Sequence, residues 1–187
     1  MKDATVMAPE IRAAAWLNTP QALSLTELRG RVVALHVFQM LCPGCVSHGL
    51  PQAVAIQRSF AESEVSVLGL HSVFEHHDVM TKAALEAFVH EYRLTFPIAI
   101  DLPASSGAIP MTMQAYGLSG TPSLVLIDRI GRVRLNHFGH LDDMQVGALI
   151  GQLLAESHTA TLVGSAATAA ELEPTGGHCD ADGCAAA

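Results

Sequence analysis

Residues 31–40 are almost continuously apolar, with Val32, Val33, Leu35, Val37 and Phe38 mostly β-branched or large. That pattern predicts a strand covered on both faces. Pro43 then sets φ for a first helical turn, and Val46, Leu50, Val54, Ile56 and Phe60 continue a helix to about residue 62, bent near Gly49 and Pro51. Val65–His71 reads as the next strand, residues 72–80 as a polar loop, and Thr81 as the cap of a helix over 82–92. A short strand at 96–100 completes a β-α-β-α-β order, which places the chain in the α/β class. After an irregular stretch with a short helix at 111–116, strands at 123–128 and 132–137 flank Arg129, Ile130 and Gly131 as a hairpin. Asp142 or Asp143 caps a last helix that carries Met144, Leu149, Leu153 and Leu154 and ends near residue 156. Residues 1–22 read as a lead-in. Within it Ala13–Leu17 suggests a turn of helix broken by Asn18, Thr19 and Pro20, and residues 23–30 turn into the first strand on Gly30.

The core is therefore expected over residues 23–156. From residue 157 to 187 the composition shifts to Ala, Thr, Gly and Ser with acids and no base, the composition of a mobile tail. Half of the 187 residues are hydrophobic and 15% are charged, which excludes disorder over most of the chain. The formal net charge of -8, with no Lys or Arg after Arg134, excludes a nucleic-acid footprint. The longest uncharged stretch, residues 32–57, is interrupted by His36, Gln39, Pro43, Gly44, His48, Gly49 and Pro51, so no membrane span is expected. Asp3, Glu10 and Arg12 break any leader-like apolar run in the first residues, and a cytoplasmic protein is the expectation.

Four cysteines fall into two pairs, Cys42 with Cys45 and Cys179 with Cys184. Such spacing points to redox chemistry or metal rather than to a disulfide scaffold. Cys42-Pro43-Gly44-Cys45 leaves a buried strand and opens a helix. Free N–H groups and the positive helix end at that place favour a thiolate on Cys42, and Cys45, one turn on, is placed to resolve a mixed disulfide. Zinc would normally want a second matching pair, and the tail cysteines are separated by four residues rather than two. The tail pair, with Gly176, Gly177 and Gly183 around it, is a candidate redox arm for Cys42 and Cys45. With His178, Asp180 and Asp182 it is alternatively a candidate metal site, or it is idle. His76, His77 and Asp78 form a weaker metal candidate in the loop after the second strand.

Gly120-Thr121-Pro122-Ser123 stands directly before the apolar run 124–127, and Asp128 and Gly131 follow. With the upstream Cys-Pro-Gly-Cys, these residues give a chain that resembles the thioredoxin-like superfamily, and within it the TlpA/ResA-type thiol-disulfide oxidoreductases of the AhpC/TSA redoxin group. The resemblance covers about residues 23–156. It implies a thioredoxin fold, a central mixed β-sheet flanked by helices, with an insertion between the first and second βα units. It also implies a cis Pro122 beside the cysteines and a Thr121 backbone free to pair with substrate, so that Cys42, Cys45 and Pro122 serve catalysis while Pro43, Gly44 and Thr121 meet the substrate.

The tryptophan common beside the first cysteine is replaced by Leu41, and the position six before Cys42, often an acid in thioredoxins, is His36. His36 is a candidate proton acceptor for Cys45, and Glu75 a second candidate relay where related proteins sometimes place an acid. Peroxiredoxins resemble Pro-x-x-x-Thr/Ser-x-x-Cys around the reactive cysteine. Counting back from Cys42 gives Gln39 and Leu35, and from Cys45 gives Cys42 and Phe38, so a thiol peroxidase or antioxidant role is a rival that these residues do not support. A metal-binding thiol module using the tail is the other rival. No glycine motif for a cofactor is present, so no cofactor is expected. The partners implied are protein or small-molecule disulfides and an external thiol or reductase as electron donor.

Overall fold

The computed structural model describes residues 6–156 and, beyond them, the backbone of residues 179–180 and 183–184. Six strands form one sheet: β1 (Ala13–Leu17), β2 (Val32–Phe38), β3 (Val65–His71), β4 (Ile98–Asp101), β5 (Ser123–Ile127) and β6 (Val133–Phe138). Their spatial order is β1-β4-β3-β2-β5-β6. The pairs β2/β3 and β3/β4 are parallel and the others antiparallel, so the sheet is mixed. Four helices, α1 (Leu50–Ser59), α2 (Lys82–Glu91), α3 (Met111–Ala115) and α4 (Asp143–Ala155), flank it, and a π-helical turn at Cys45–Gly49 leads into α1.

All seven residues of β2 are buried, His36 included, as the nearly continuous apolar run predicts. Side chains alternate across a strand, so β2 feeds two separate layers. Val32, Ala34 and Phe38 pack with Leu50, Ala53 and Ile56 of α1, Leu85 and Val89 of α2, and Val146, Ile150 and Leu153 of α4. Val33, Leu35 and Val37 pack on the other face with Leu25, Leu28, Met113 and Tyr116.

Ala13–Leu17 is a strand, not the turn of helix its three alanines suggested. It lies antiparallel to β4, with Trp16 opposite Ala99 and Leu17 opposite Ile98. A weak intrinsic preference gives way here to a ladder of backbone hydrogen bonds on a sheet edge. Asn18, at φ 58°, turns the chain out of the strand, and its Nδ2 donates to the carbonyls of Leu94 and Phe96 at 2.8 and 3.0 Å. The helix after the cysteines winds without a break over residues 43–59, and the bend that Gly49 and Pro51 suggested takes the form of a π turn at Cys45–Gly49.

Thr81 caps α2 through Ala84 N, and Asp142, rather than Asp143, caps α4 by accepting from Met144 N at 2.9 Å. Asp143 instead receives Gln52 Nε2 at 2.8 Å, and the same amide donates to Leu141 O, tying α1 to the start of α4. Asp142→Ala should therefore lower stability by about 1 kcal/mol, read as a urea-midpoint shift at constant slope. A shift indistinguishable from zero would show that the cap contributes nothing.

No described helix is long and apolar enough to cross a membrane. The expectation of a mobile tail over 157–187 lies outside the described residues, apart from two short strands. These are β7 (Cys179–Asp180) and β8 (Gly183–Cys184), antiparallel, with Cys179 opposite Cys184 in the backbone ladder.

Candidate active site at the end of the central strand

β2 delivers the chain to Gln39, Met40 and Leu41, and the Cys42 N–H donates to Gln39 O at 3.2 Å as the turn into the helix begins. Cys42 is half-buried, whereas Cys45 is 0% exposed. The Cys45 N–H points at Cys42 Sγ at 3.2 Å. The same N–H also donates to Cys42 O at 3.1 Å. On the other side Cys42 Sγ donates to Thr121 O at 3.5 Å. Both cysteines are free thiols.

Burial, and next the hydrogen bond with Cys42, push the Cys45 thiol up to about 12. Hydrogen bonds from the Gln39 backbone and the Thr121 side chain pull the other way without winning. The two cysteines thus occupy unlike environments, one reachable and one held protonated.

The Thr121–Pro122 bond is cis, as the resemblance implied, and Pro122 lies against the motif. A Cβ on Gly44 would sit 3.3 Å from Pro122 Cδ, and one on Gly49 would sit 3.1 Å from Pro122 Cβ. Gly44 and Gly49 therefore form the floor on which the proline rests. Only Gly44 carried a role in the sequence reading; Gly49 was noted there as a bend. Pro122 O accepts from Gly139 N at 2.8 Å, which anchors the end of β6 to the same loop.

Glu75 is brought to this end of the sheet through Gln39, a buried residue that the sequence reading passed over. Gln39 Nε2 donates to Glu75 Oε1 at 3.3 Å, and its Oε1 accepts from Phe74 N at 3.3 Å. One side chain thus ties the 72–80 loop to the strand that carries the cysteines. A buried glutamine three residues before a redox motif is the signal that could have shown it, since a buried amide must find partners.

His36 is 3% exposed and sits on β2 between Gly69 and Leu124. Alternation puts it on the face of Ala34 and Phe38, the layer that also holds Cys45. Burial lowers its pKa to about 4, only partly opposed by Asp143, and its Nε2 has no hydrogen-bond partner. His71, 1% exposed on the same face of β3, is also driven to about 4 by burial and is likewise unpartnered at Nε2. Its ring lies 5.3 Å from that of Phe38.

His76, His77 and Asp78 do not form the metal cluster considered for them; among the described residues no three His, Cys, Asp or Glu side chains come together in that way. His48 instead meets His140, ring centroids 4.8 Å apart, across the gap between the π turn and the segment before α4. The side chains of Cys179 and Cys184 lie outside the described residues, and with them the candidate arm and tail metal site.

The Redoxin family profile matches residues 3–147. Among curated proteins, the thiol-disulfide oxidoreductase ResA of Halalkalibacterium halodurans is 25% identical over 126 residues, which cover 67% of this chain and 64% of that protein. Among solved structures, a thiol-disulfide isomerase from Corynebacterium glutamicum superposes with a TM-score of 0.79 at 52% identity, over 83% of this chain and 99% of that one. The crystal structure of a thioredoxin-like superfamily protein gives the same TM-score at 50% identity, over 81% and 97%. The fold is thioredoxin-like, a mixed sheet with flanking helices.

Proposed function

The chain belongs to the Redoxin family, and from that membership we propose that it is a thiol-disulfide oxidoreductase in which Cys42 attacks and Cys45 resolves. The observation that carries this reading is the asymmetry of the pair. Cys42 is half-buried with an N–H on its sulfur at 3.2 Å, while Cys45 is buried and held protonated. That asymmetry supports the following order of events. Cys42 thiolate attacks one sulfur of a substrate disulfide, a Cys42–substrate S–S bond forms, and the other substrate sulfur leaves as thiolate. The same step removes the free Cys42 sulfur that helps to hold the Cys45 proton. Cys45 then loses its proton and attacks Cys42 Sγ, so the Cys42–Cys45 disulfide forms and the substrate leaves with both sulfurs reduced. An external thiol or reductase returns two electrons to the pair.

Thr121 and Pro122 border the sulfur under attack, and the Thr121 carbonyl, which meets the Cys42 thiol in the free protein, is available to a bound polypeptide once that thiol is consumed. Pro43 and Gly44 complete this surface. His36 is neutral near pH 7 because burial holds it at about 4. The gap between about 4 there and about 12 at Cys45 keeps the proton on Cys45 in the resting protein, so a relay through His36 operates only after the mixed disulfide has formed. Glu75, tied to the motif through Gln39, is the second relay group.

The test is differential alkylation and mass spectrometry across a glutathione redox gradient. A reversible Cys42–Cys45 bond that Cys42→Ser abolishes is the expected result; two thiols that stay reduced, or oxidise independently, refute the mechanism. The same maps read Cys179 and Cys184, which their ladder sets opposite one another. Cross-links from either to Cys42 would make them a redox arm, and their absence would remove the tail from the cycle.

A further inference from the structure

Phe138 is 56% exposed at the end of β6, although a phenylalanine gains from burial. Its position is set by two contacts. Ser123 lies opposite it in the β5–β6 ladder, and its ring lies against Gly120: a Cβ there would stand 2.7 Å from Phe138 Cε2. The ring therefore rests on bare backbone immediately before Thr121, whose carbonyl meets the Cys42 sulfur. The next residue, Gly139, is anchored by its N–H to Pro122 O. Leu41, directly before Cys42, is also 56% exposed. Two large apolar side chains are thus left in water, one on the loop whose carbonyl meets the Cys42 sulfur and one next to Cys42 in the chain.

Resting on the thiol-disulfide reading above, we propose that Phe138, seated on Gly120, is a specificity-determining residue that selects polypeptide disulfides whose reactive cysteine has an apolar neighbour. Any occupant must put a sulfur on Cys42, so the chain flanking that sulfur runs along the Gly120–Pro122 loop, whose Thr121 carbonyl meets Cys42. An apolar side chain there covers the Phe138 ring and is itself covered. A small polar disulfide such as oxidised glutathione reaches the sulfur without using the ring, and so gains nothing from it.

The experiment compares two synthetic peptides that each carry one cysteine as a mixed disulfide with thionitrobenzoate, one with leucine and one with serine beside the cysteine. Single-turnover rates with the reduced full-length chain give a Leu/Ser ratio, expected to be about tenfold in favour of leucine from the burial of one aliphatic side chain. Phe138→Ser should bring that ratio close to one, and Phe138→Leu should keep most of it. Gly120→Ala, whose Cβ evicts the ring while the phenylalanine remains, should lower it as well. A ratio that survives Phe138→Ser, including one preserved because both rates fall together, overturns the inference and leaves the redox reading standing. Absence of exchange with every disulfide in the unaltered chain overturns the redox reading, and this inference with it.

Discussion

Replacing Cys45 with serine should stop turnover and leave Cys42 covalently joined to its substrate, visible as a mass adduct that dithiothreitol removes. The buried Cys45 backbone N–H lies 3.2 Å from Cys42 Sγ, so its thiol is held within one turn of the sulfur that the proposed mechanism has it attack. A nucleophile fixed in this way acts at an effective concentration far above that of a millimolar external thiol. Loss of Cys45 should therefore slow release of reduced substrate by about 10³-fold or more. Cys42→Ser should remove both the adduct and the turnover, since the remaining thiol is buried and pushed up to about 12. Adducts that collect on Cys45 in the Cys42 variant would reverse the assigned roles, and near-normal turnover in the Cys45 variant would remove its role as resolver.

A second large effect is loss of stability in mild acid. His36 and His71 are both lowered to about 4 by burial, against an ordinary value of 6.5. Between those two values the unfolded chain binds the protons and the folded chain does not, so stability rises with pH through this window and is lost as pH falls from 6.5 towards 4. Each histidine contributes about 1.4 kcal/mol per pH unit there, together a substantial fraction of the stability of a domain this size. Asp143 faces His36 and reduces its share, while nothing comparable opposes the burial of His71. Urea midpoints at pH 7, 5.5 and 4.5 should fall steeply for the natural chain and visibly less steeply for His71→Leu. Parallel profiles would show that His71 does not titrate with unfolding.

These effects arise from features that differ in how openly the sequence displayed them. Val65–His71 and the run at 32–38 could be read directly, because a strand buried on both faces leaves a mostly apolar signature that one or two polar residues do not hide. That Thr121–Pro122 meets the cysteines was legible from the resemblance their motifs carry. Ala13–Leu17 was misread because alanine favours a helix locally, while its strand exists only through pairing with residues some eighty positions away. The contacts of Gln39, Gly49, Gly120 and Phe138 were hidden for a related reason. Each acts through a contact with a distant segment, namely Glu75, Pro122, Phe138 and Gly120 respectively, and no local periodicity records such a contact. The burial of His71 was equally hidden, because a histidine closing an apolar strand reads the same whether it ends in solvent or under Phe38.

The π turn at Cys45–Gly49 gives these contacts a common timing. In an ordinary α-helix, residues 44 and 49 would point about 140° apart, and at most one of them could touch a single proline ring. Leu50 N bonds to Cys45 O, five residues back, and Gly44 and Gly49 both meet Pro122. The extra residue works as a phase shifter, like one added tooth on a gear. It lets the motif keep its orientation towards Pro122 while α1, downstream, turns its own apolar stripe onto the sheet. Insertions and deletions between Cys45 and Leu50 are therefore not interchangeable with those later in the helix: removing one residue here would bring the backbone back to regular winding and put either the cysteines or the core out of step.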